Sequence, residues 1–228
     1  MTFSERLLEG TVSAFVKILC RIDGAETFDA IPEHGPLILV TNHVNFLEIP
    51  VLRKYFGSRR VIGLAKAEAW ENPLLKKILD MWEAIPIRRG ENDIAALRRS
   101  LAVLKEGRIL GLAPEGTRSR DGRLQRGHSG AVTIALKSGA PLMPIAYWGG
   151  EKVKDYMKRL RRTPFHLNSG EPFRIVTDGL RVTSEIRQQI VDEIMTQIAK
   201  LLPEEYRGVY TDRVGTESQY IRPLADNA

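Results

Sequence analysis

The sequence predicts an α/β fold, a largely parallel central sheet flanked by helices, with an N-terminal amphipathic helix. Three observations predict it. From Gly24 onward, short apolar runs alternate with segments of helical period. The runs are short enough, and apolar enough, to be buried strands, and strands alternating with helices assemble around a mostly parallel sheet. Ahead of them lies a single stretch of about twenty residues with only helical spacing.

In that first stretch Phe3, Leu7, Thr11, Ala14, Phe15, Ile18 and Ile22 recur at helical intervals, and Leu8, Val12, Val16 and Leu19 widen the apolar face. Such a helix either packs on the core or lies in a lipid headgroup region, and its sequence leaves both open. Strands are then expected at Leu37–Thr41, Val61–Leu64, Ala84–Ile87, Ile109–Leu112 and Leu142–Tyr147, with helices near 48–56, 72–82, 92–105 and 129–138. Residues 152–162 read as a basic helix, Phe165 to Val176 as a late strand pair or hairpin, and 184–202 as an amphipathic helix on Ile186, Ile190, Ile194 and Ile198, capped by Thr183 or Ser184. From Pro203 the chain loses its period and is expected to run loosely along the surface.

A chain of 228 residues, 43% hydrophobic and 27% charged, can bury roughly 70% of its unfolded surface in one core, so it needs no staples. The single cysteine, Cys20, excludes an intrachain disulfide framework and reads as a small core hydrophobe. No charge-free stretch reaches the ~18 apolar residues of a spanning helix. Glu5, Arg6 and Glu9 interrupt the place where a signal peptide would carry its apolar run. The formal charge is +6, yet residues 118 to 162 alone hold eleven Lys or Arg against Asp121, Glu151 and Asp155. Such a cluster suits an anionic partner, or is simply a solvated basic face.

Ligands of open parallel sheets bind outside the carboxyl ends of the strands. Polar groups follow three of the expected strands: Asn42-His43, Arg88-Arg89, and Pro114-Glu115-Gly116-Thr117-Arg118-Ser119-Arg120. If the strands are parallel these converge on one edge. His43 has Glu48 five residues on, and a histidine oriented by a carboxylate serves as general base toward a hydroxyl. The spacing alone discriminates little, because His166 and Glu171 repeat it. Position at a strand exit is what favours His43; His34 and His128 read as surface or loop residues. The Glu115–Arg118 run sets a carboxylate, a conformationally free glycine, a hydroxyl and a guanidinium side by side, a combination able to hold a phosphate and a substrate hydroxyl, or merely to pair within a turn.

Thr41-Asn42-His43-Val44-Asn45-Phe46-Leu47-Glu48, Ile85-Pro86-Ile87-Arg88-Arg89, Pro114 to Arg120, and Ala140-Pro141-Leu142-Met143-Pro144-Ile145 resemble, in order and spacing, the four blocks of the glycerolipid acyltransferases, above all the 1-acyl-sn-glycerol-3-phosphate acyltransferases. The similarity covers roughly Gly24 to Tyr210. With the first helix set apart, the chain divides into an N-terminal amphipathic helix suited to the core or to a membrane interface (1–22), an acyltransferase α/β domain (23–210) and a C-terminal tail (211–228). The first block of the family is N-H-x-S-x-x-D, from which this chain departs at Asn45 and Glu48.

The resemblance implies transfer of a fatty acyl group from a thioester on coenzyme A or acyl carrier protein to a free hydroxyl of 1-acyl-glycerol-3-phosphate, giving phosphatidic acid. His43 would be the catalytic base and Glu48 its orienting acid. Arg88, Glu115, Gly116, Thr117 and Arg118 would bind the acceptor, the arginines at its phosphate, with Glu115 and Gly116 contacting a glycerol hydroxyl or shaping the loop. Lys137 is a weaker candidate. No cofactor and no metal is called for, since a thioester is already activated. The implied partners are a lysophospholipid, an acyl thioester and an anionic membrane surface, with a peripheral place on the inner, cytoplasmic face of a membrane. Two alternatives stand beside this: another lysolipid, glycerol 3-phosphate or a glycolipid as acceptor, and a non-catalytic binder of anionic lipid. No nucleic-acid partner is expected, because the basic stretch 152–162 has only Tyr156 for stacking.

Overall fold

The computed structural model describes residues 3–32, 34–56, 61–88 and 93–224. In chain order the elements are α1 (Phe3–Leu19), β1 (Cys20–Asp23), β2 (Leu37–Thr41), α2 (Glu48–Phe56), β3 (Val61–Lys66), α3 (Pro73–Met81), β4 (Ile85–Ile87), α4 (Ile94–Lys105), β5 (Ile109–Leu112), α5 (Gly130–Ser138), β6 (Leu142–Trp148), α6 (Val153–Lys158), β7 (Thr163–Ser169), β8 (Phe173–Ile175), α7 (Ser184–Leu201) and β9 (Ile221–Pro223). Strands β2 to β6 all run the same way, in the order β6-β2-β5-β3-β4. Beyond β6 the direction reverses: β7 is antiparallel to β6, and β1 is parallel to β7 on the outer edge.

The sheet is covered on both faces, which is why its strands read as unbroken apolar runs. Alternate residues of β2 divide accordingly. Ile38 and Val40 join the core under α4, α5 and α7, whereas Leu37 and Leu39 join the core under α1 and α2. The same division sends Leu142 and Ala146 of β6 to the first core and Met143, Ile145 and Tyr147 to the second. Helix α7 begins where expected, the Thr183 hydroxyl accepting from the Ile186 amide, and buries Ile190, Ile194 and Ile198.

Four expectations change in detail. Helix α1 stops at Leu19, since Cys20–Asp23 pairs with β7 in parallel register instead of extending the helix. On α1 it is Val12, Val16 and Leu19 that pack on the core, while Leu7, Phe15 and Ile18 stay exposed, so the outer face is apolar as well. The late strands form no hairpin with each other: β7 and β8 are successive stretches along one side of β6, β7 near its end and β8 at its start, Phe173 opposite Leu142. The stretch after Pro203 is not loose, for Tyr210 and Tyr220 are buried and β9 pairs with β8.

Candidate active site

The turn after β2 is built by side chains that take over the hydrogen bonding of the sheet. Asn42 continues the β2–β6 ladder past the strand end: its side-chain nitrogen donates to the Tyr147 carbonyl at 2.7 Å and its oxygen accepts from the Tyr147 amide at 2.8 Å. The backbone then turns out at His43, and the loop after β5 grips it from the other side. The His43 amide donates to Glu115 Oε1 at 2.8 Å, and the Ser119 amide donates to the His43 carbonyl at 2.7 Å.

Glu48, the first residue of α2 and only 4% exposed, reaches back over this turn. Its Oε2 lies 2.6 Å from His43 Nδ1, and its Oε1 accepts from the amides of Val44 at 2.5 Å and Asn45 at 2.7 Å. A carboxylate at the N-terminus of a helix is favourably placed against the helix dipole and the free amides there. A carboxylate accepting at Nδ1 favours the proton on that nitrogen, and in the neutral ring Nε2 then carries the lone pair. The His43 side chain is 22% exposed, so the ring can meet a solute.

The departures from the resembling block have geometric explanations. The extra methylene of Glu48 is taken up in reaching Nδ1 and two amides at once. Asn45 accepts from the Leu47 amide through Oδ1 at 2.7 Å and donates through its side-chain nitrogen to the Gly150 carbonyl at 2.7 Å. That second bond staples the dyad loop to the segment after β6, and it requires a glycine there. A Cβ at position 150 would stand 2.6 Å from the Asn45 nitrogen and 2.6 Å from the Phe165 ring. No signal in the sequence pointed to this pair, which lies 105 positions apart.

The loop after β5 divides its work. Glu115 is 1% exposed, its Oε2 accepting from the Gln125 amide at 2.9 Å, so both oxygens hold backbone and neither faces solvent. Burial pushes its carboxyl up to about 7, against the pull of the two amides. Gly116 adopts φ 65, in the left-handed region open to glycine, with the His128 ring packed against it. Thr117 and Arg118 point outward and are exposed. Of the two expectations for Glu115, shaping the loop is the one its bonding fits.

Arg88 is exposed at the end of β4, its amide donating to the Asp93 carboxylate at 2.9 Å. It shares the carboxyl edge with His43 but, three strands from β2, stands about 14 Å across the sheet. Arg89 lies outside the described residues. Lys137 is exposed in the last turn of α5, which runs away from this edge. His166 does not meet Glu171: its Nδ1 is 3.2 Å from Asp23, and its ring stacks on Trp148. His128 and His34 are exposed. Sequence reasoning missed Ser119, Gln125 and the buried Tyr147, whose hydroxyl has no hydrogen-bond partner among the described residues and whose phenol is held far above its usual range by burial and then by the Glu48 charge. Among the described residues no group of three or more His, Cys, Asp or Glu could hold a metal ion.

The arrangement can therefore take a proton from a hydroxyl at the carboxyl edge of the sheet, with exposed guanidinium groups nearby for an anion. Comparison with known proteins agrees in kind. Residues 24–148 match the Acyltransferase family. The chain is 34% identical over 120 residues to the chloroplastic 1-acyl-sn-glycerol-3-phosphate acyltransferase of Brassica napus, covering 52% of this chain and 34% of that one. It is 30% identical over 173 residues to the 1-acyl-sn-glycerol-3-phosphate acyltransferase of Bacillus subtilis, covering 75% of this chain and 83% of that one. The chain thus spans about a third of the plant relative and most of the bacterial one. Among solved structures, the crystal structure of the 1-acyl-sn-glycerophosphate acyltransferase PlsC from Thermotoga maritima matches with a TM-score of 0.59 and 25% identity, over 83% of this chain and 77% of that one.

Proposed function

Because the chain belongs to the Acyltransferase family, we propose that it transfers a fatty acyl group from an acyl thioester, on coenzyme A or acyl carrier protein, to the free hydroxyl of 1-acyl-glycerol-3-phosphate. The observation that carries this reading is the 2.6 Å contact between His43 Nδ1 and a Glu48 carboxylate already fixed by two backbone amides. His43 Nε2 takes the proton of the acceptor hydroxyl as its oxygen attacks the thioester carbonyl. The C–O bond forms, the C–S bond breaks, and the imidazolium returns the proton to the departing thiolate. Glu48 keeps the ring in the productive tautomer and stabilises its positive charge, as the acid of a triad does. Such proton transfer contributes roughly 10²–10⁴ in rate.

Arg118 stands one residue from Ser119, whose amide touches the His43 carbonyl, and so is suited to the acceptor phosphate beside the dyad; Thr117 offers a hydroxyl on the same exposed turn. Arg88, farther along the edge, suits an outlying anionic part of either substrate. Glu115 and Gly116 position the turn. The acceptor is a lipid, and the chain reads as a peripheral protein of an anionic, inner membrane face. In support, no helix among the described residues is long and apolar enough to cross a membrane, while the outer face of α1 leaves Leu7 and Ile18 62% and 70% exposed.

The test is thiol release from acyl-CoA or acyl carrier protein that depends on added 1-acyl-glycerol-3-phosphate. Release with glycerol 3-phosphate or a neutral lysolipid, and none with 1-acyl-glycerol-3-phosphate, would move the acceptor. No release with either donor and any acceptor would reduce the protein to a lipid binder.

A further inference from the structure

Between α6 and β7 the chain does something that its fold does not require. Helix α6 ends in a left-handed cap: the Leu160 amide donates to the Met157 carbonyl at 3.0 Å and the Arg161 amide to the Tyr156 carbonyl at 3.0 Å, the paired bonds of a Schellman motif. The residue in the left-handed position of that motif is ordinarily glycine, because a Cβ there crowds the backbone. Here it is Leu160, at φ 51, and its side chain is 96% exposed. A large apolar group thus sits in a strained backbone and in water at once, with no packing to offset either cost.

Its surroundings say what does. Met157, 44% exposed, lies one turn back, and Lys158, Arg159 and Arg161 flank the leucine, all exposed. The turn is fixed rather than loose, since the Arg162 guanidinium donates to the Cys20 carbonyl through Nε at 3.0 Å and a terminal nitrogen at 2.6 Å. Cys20 pairs with Thr163 in parallel register, so Leu19 and Arg162, the residues just before each strand, are neighbours, and the last turn of α1, with exposed Ile18, leads directly into this corner. Strands β1 and β7 run opposite to β2 and β6, so this corner lies at the carboxyl edge of β2, the edge that bears His43 and the half-exposed Phe46.

We propose that the α6–β7 turn, with Leu160 at its apex and the C-terminal end of α1 beside it, docks on an anionic bilayer. Leu160 enters the apolar boundary while the surrounding lysines and arginines meet lipid phosphates. Apolar residues ringed by cations match that interface and no other common partner as well, because lipid supplies negative charge and hydrocarbon within one residue's reach. Docking by this corner turns the His43 edge toward the membrane, where a lipid acceptor is found. The inference rests on the peripheral-membrane part of the reading above, not on the transfer chemistry.

The experiment is co-sedimentation of the full chain with vesicles of phosphatidylcholine containing roughly one-third phosphatidylglycerol, together with thermal melts and thiol release on a water-soluble short-chain acceptor. Leu160→Gly and Leu160→Asn both suit the left-handed backbone, so each should fold. Leu160→Gly should raise the melting temperature by roughly 2–4 °C, and both variants should partition onto vesicles at least ~10-fold less than the parent. Turnover of the soluble acceptor should be unchanged. Leu180→Gly, 53% exposed in the loop beyond the opposite edge, should bind vesicles as the parent does.

Parent-like partitioning of both Leu160 variants would overturn the proposal, as would an equal loss in Leu180→Gly or equal binding of the parent to pure phosphatidylcholine vesicles. If thiol release is absent while the vesicle difference stands, the transferase reading fails and the docking surface survives.

Discussion

Glu115→Gln isolates the consequence of a buried carboxylate in the wall of the site. Glu115 is 1% exposed, and its carboxyl is pushed from 4.5 up to about 7, chiefly by burial. Between those two pH values the native protein binds a proton that the unfolded chain has released. The free energy of unfolding therefore falls as pH rises through this window, and this residue's share is flat below about 4.5 and above about 7. At about 1.4 kcal/mol per pH unit, the span amounts to about 3 kcal/mol. Glutamine cannot titrate. It also keeps only one acceptor oxygen for the two amides of His43 and Gln125, a loss of about 1–3 kcal/mol that does not vary with pH. Urea unfolding of both proteins at half-unit steps from pH 4.5 to 8 should show the parent's advantage over the variant shrinking by about 3 kcal/mol as pH rises. A parent-minus-variant difference that stays level across the range would refute the reasoning, since it would mean that the carboxyl titrates as in water.

Five further substitutions test the site and its surroundings. His43→Ala should lower turnover by at least ~10²-fold without a change in melting temperature, while His166→Ala, whose ring stacks on Trp148 at the outer strands, should leave turnover near that of the parent. Glu48→Asp withdraws the carboxylate by one methylene from three contacts it now makes together, so kcat should fall roughly 10–100-fold, and an undiminished kcat would show that the longer side chain is incidental. Asn45→Ser restores the hydroxyl residue of the resembling block but gives up the bond to the Gly150 carbonyl; chemical denaturation should register a loss of about 1 kcal/mol. Arg118→Ala should raise KM for 1-acyl-glycerol-3-phosphate far more than it lowers kcat, and should barely alter KM for a neutral lysolipid; equal losses on both would assign the arginine to loop structure.

The sequence by itself determined the class of the fold and which residues gather at the candidate site. Buried strands reveal themselves as short apolar runs because both faces of the sheet are covered, and Leu37–Thr41 and Ile109–Leu112 were therefore legible to the residue. Residues that follow such strands in a parallel sheet must emerge at one edge, which is why His43, Glu115 and Arg118 could be gathered from positions more than seventy residues apart. The pairing of His43 with Glu48 is local in the chain, and its spacing was readable. Tertiary structure decided what depends on packing between distant segments. Whether Leu7 and Ile18 or Val12 and Val16 faced the core could not follow from a helix apolar on both sides, because periodicity gives a face but not its neighbour. The roles of Asn45 and Gly150, the turning inward of Glu115, and the bond from Arg162 to the Cys20 carbonyl that ties the end of α1 to the α6–β7 turn all depend on contacts across more than seventy positions, which the chain order leaves free and only close packing fixes.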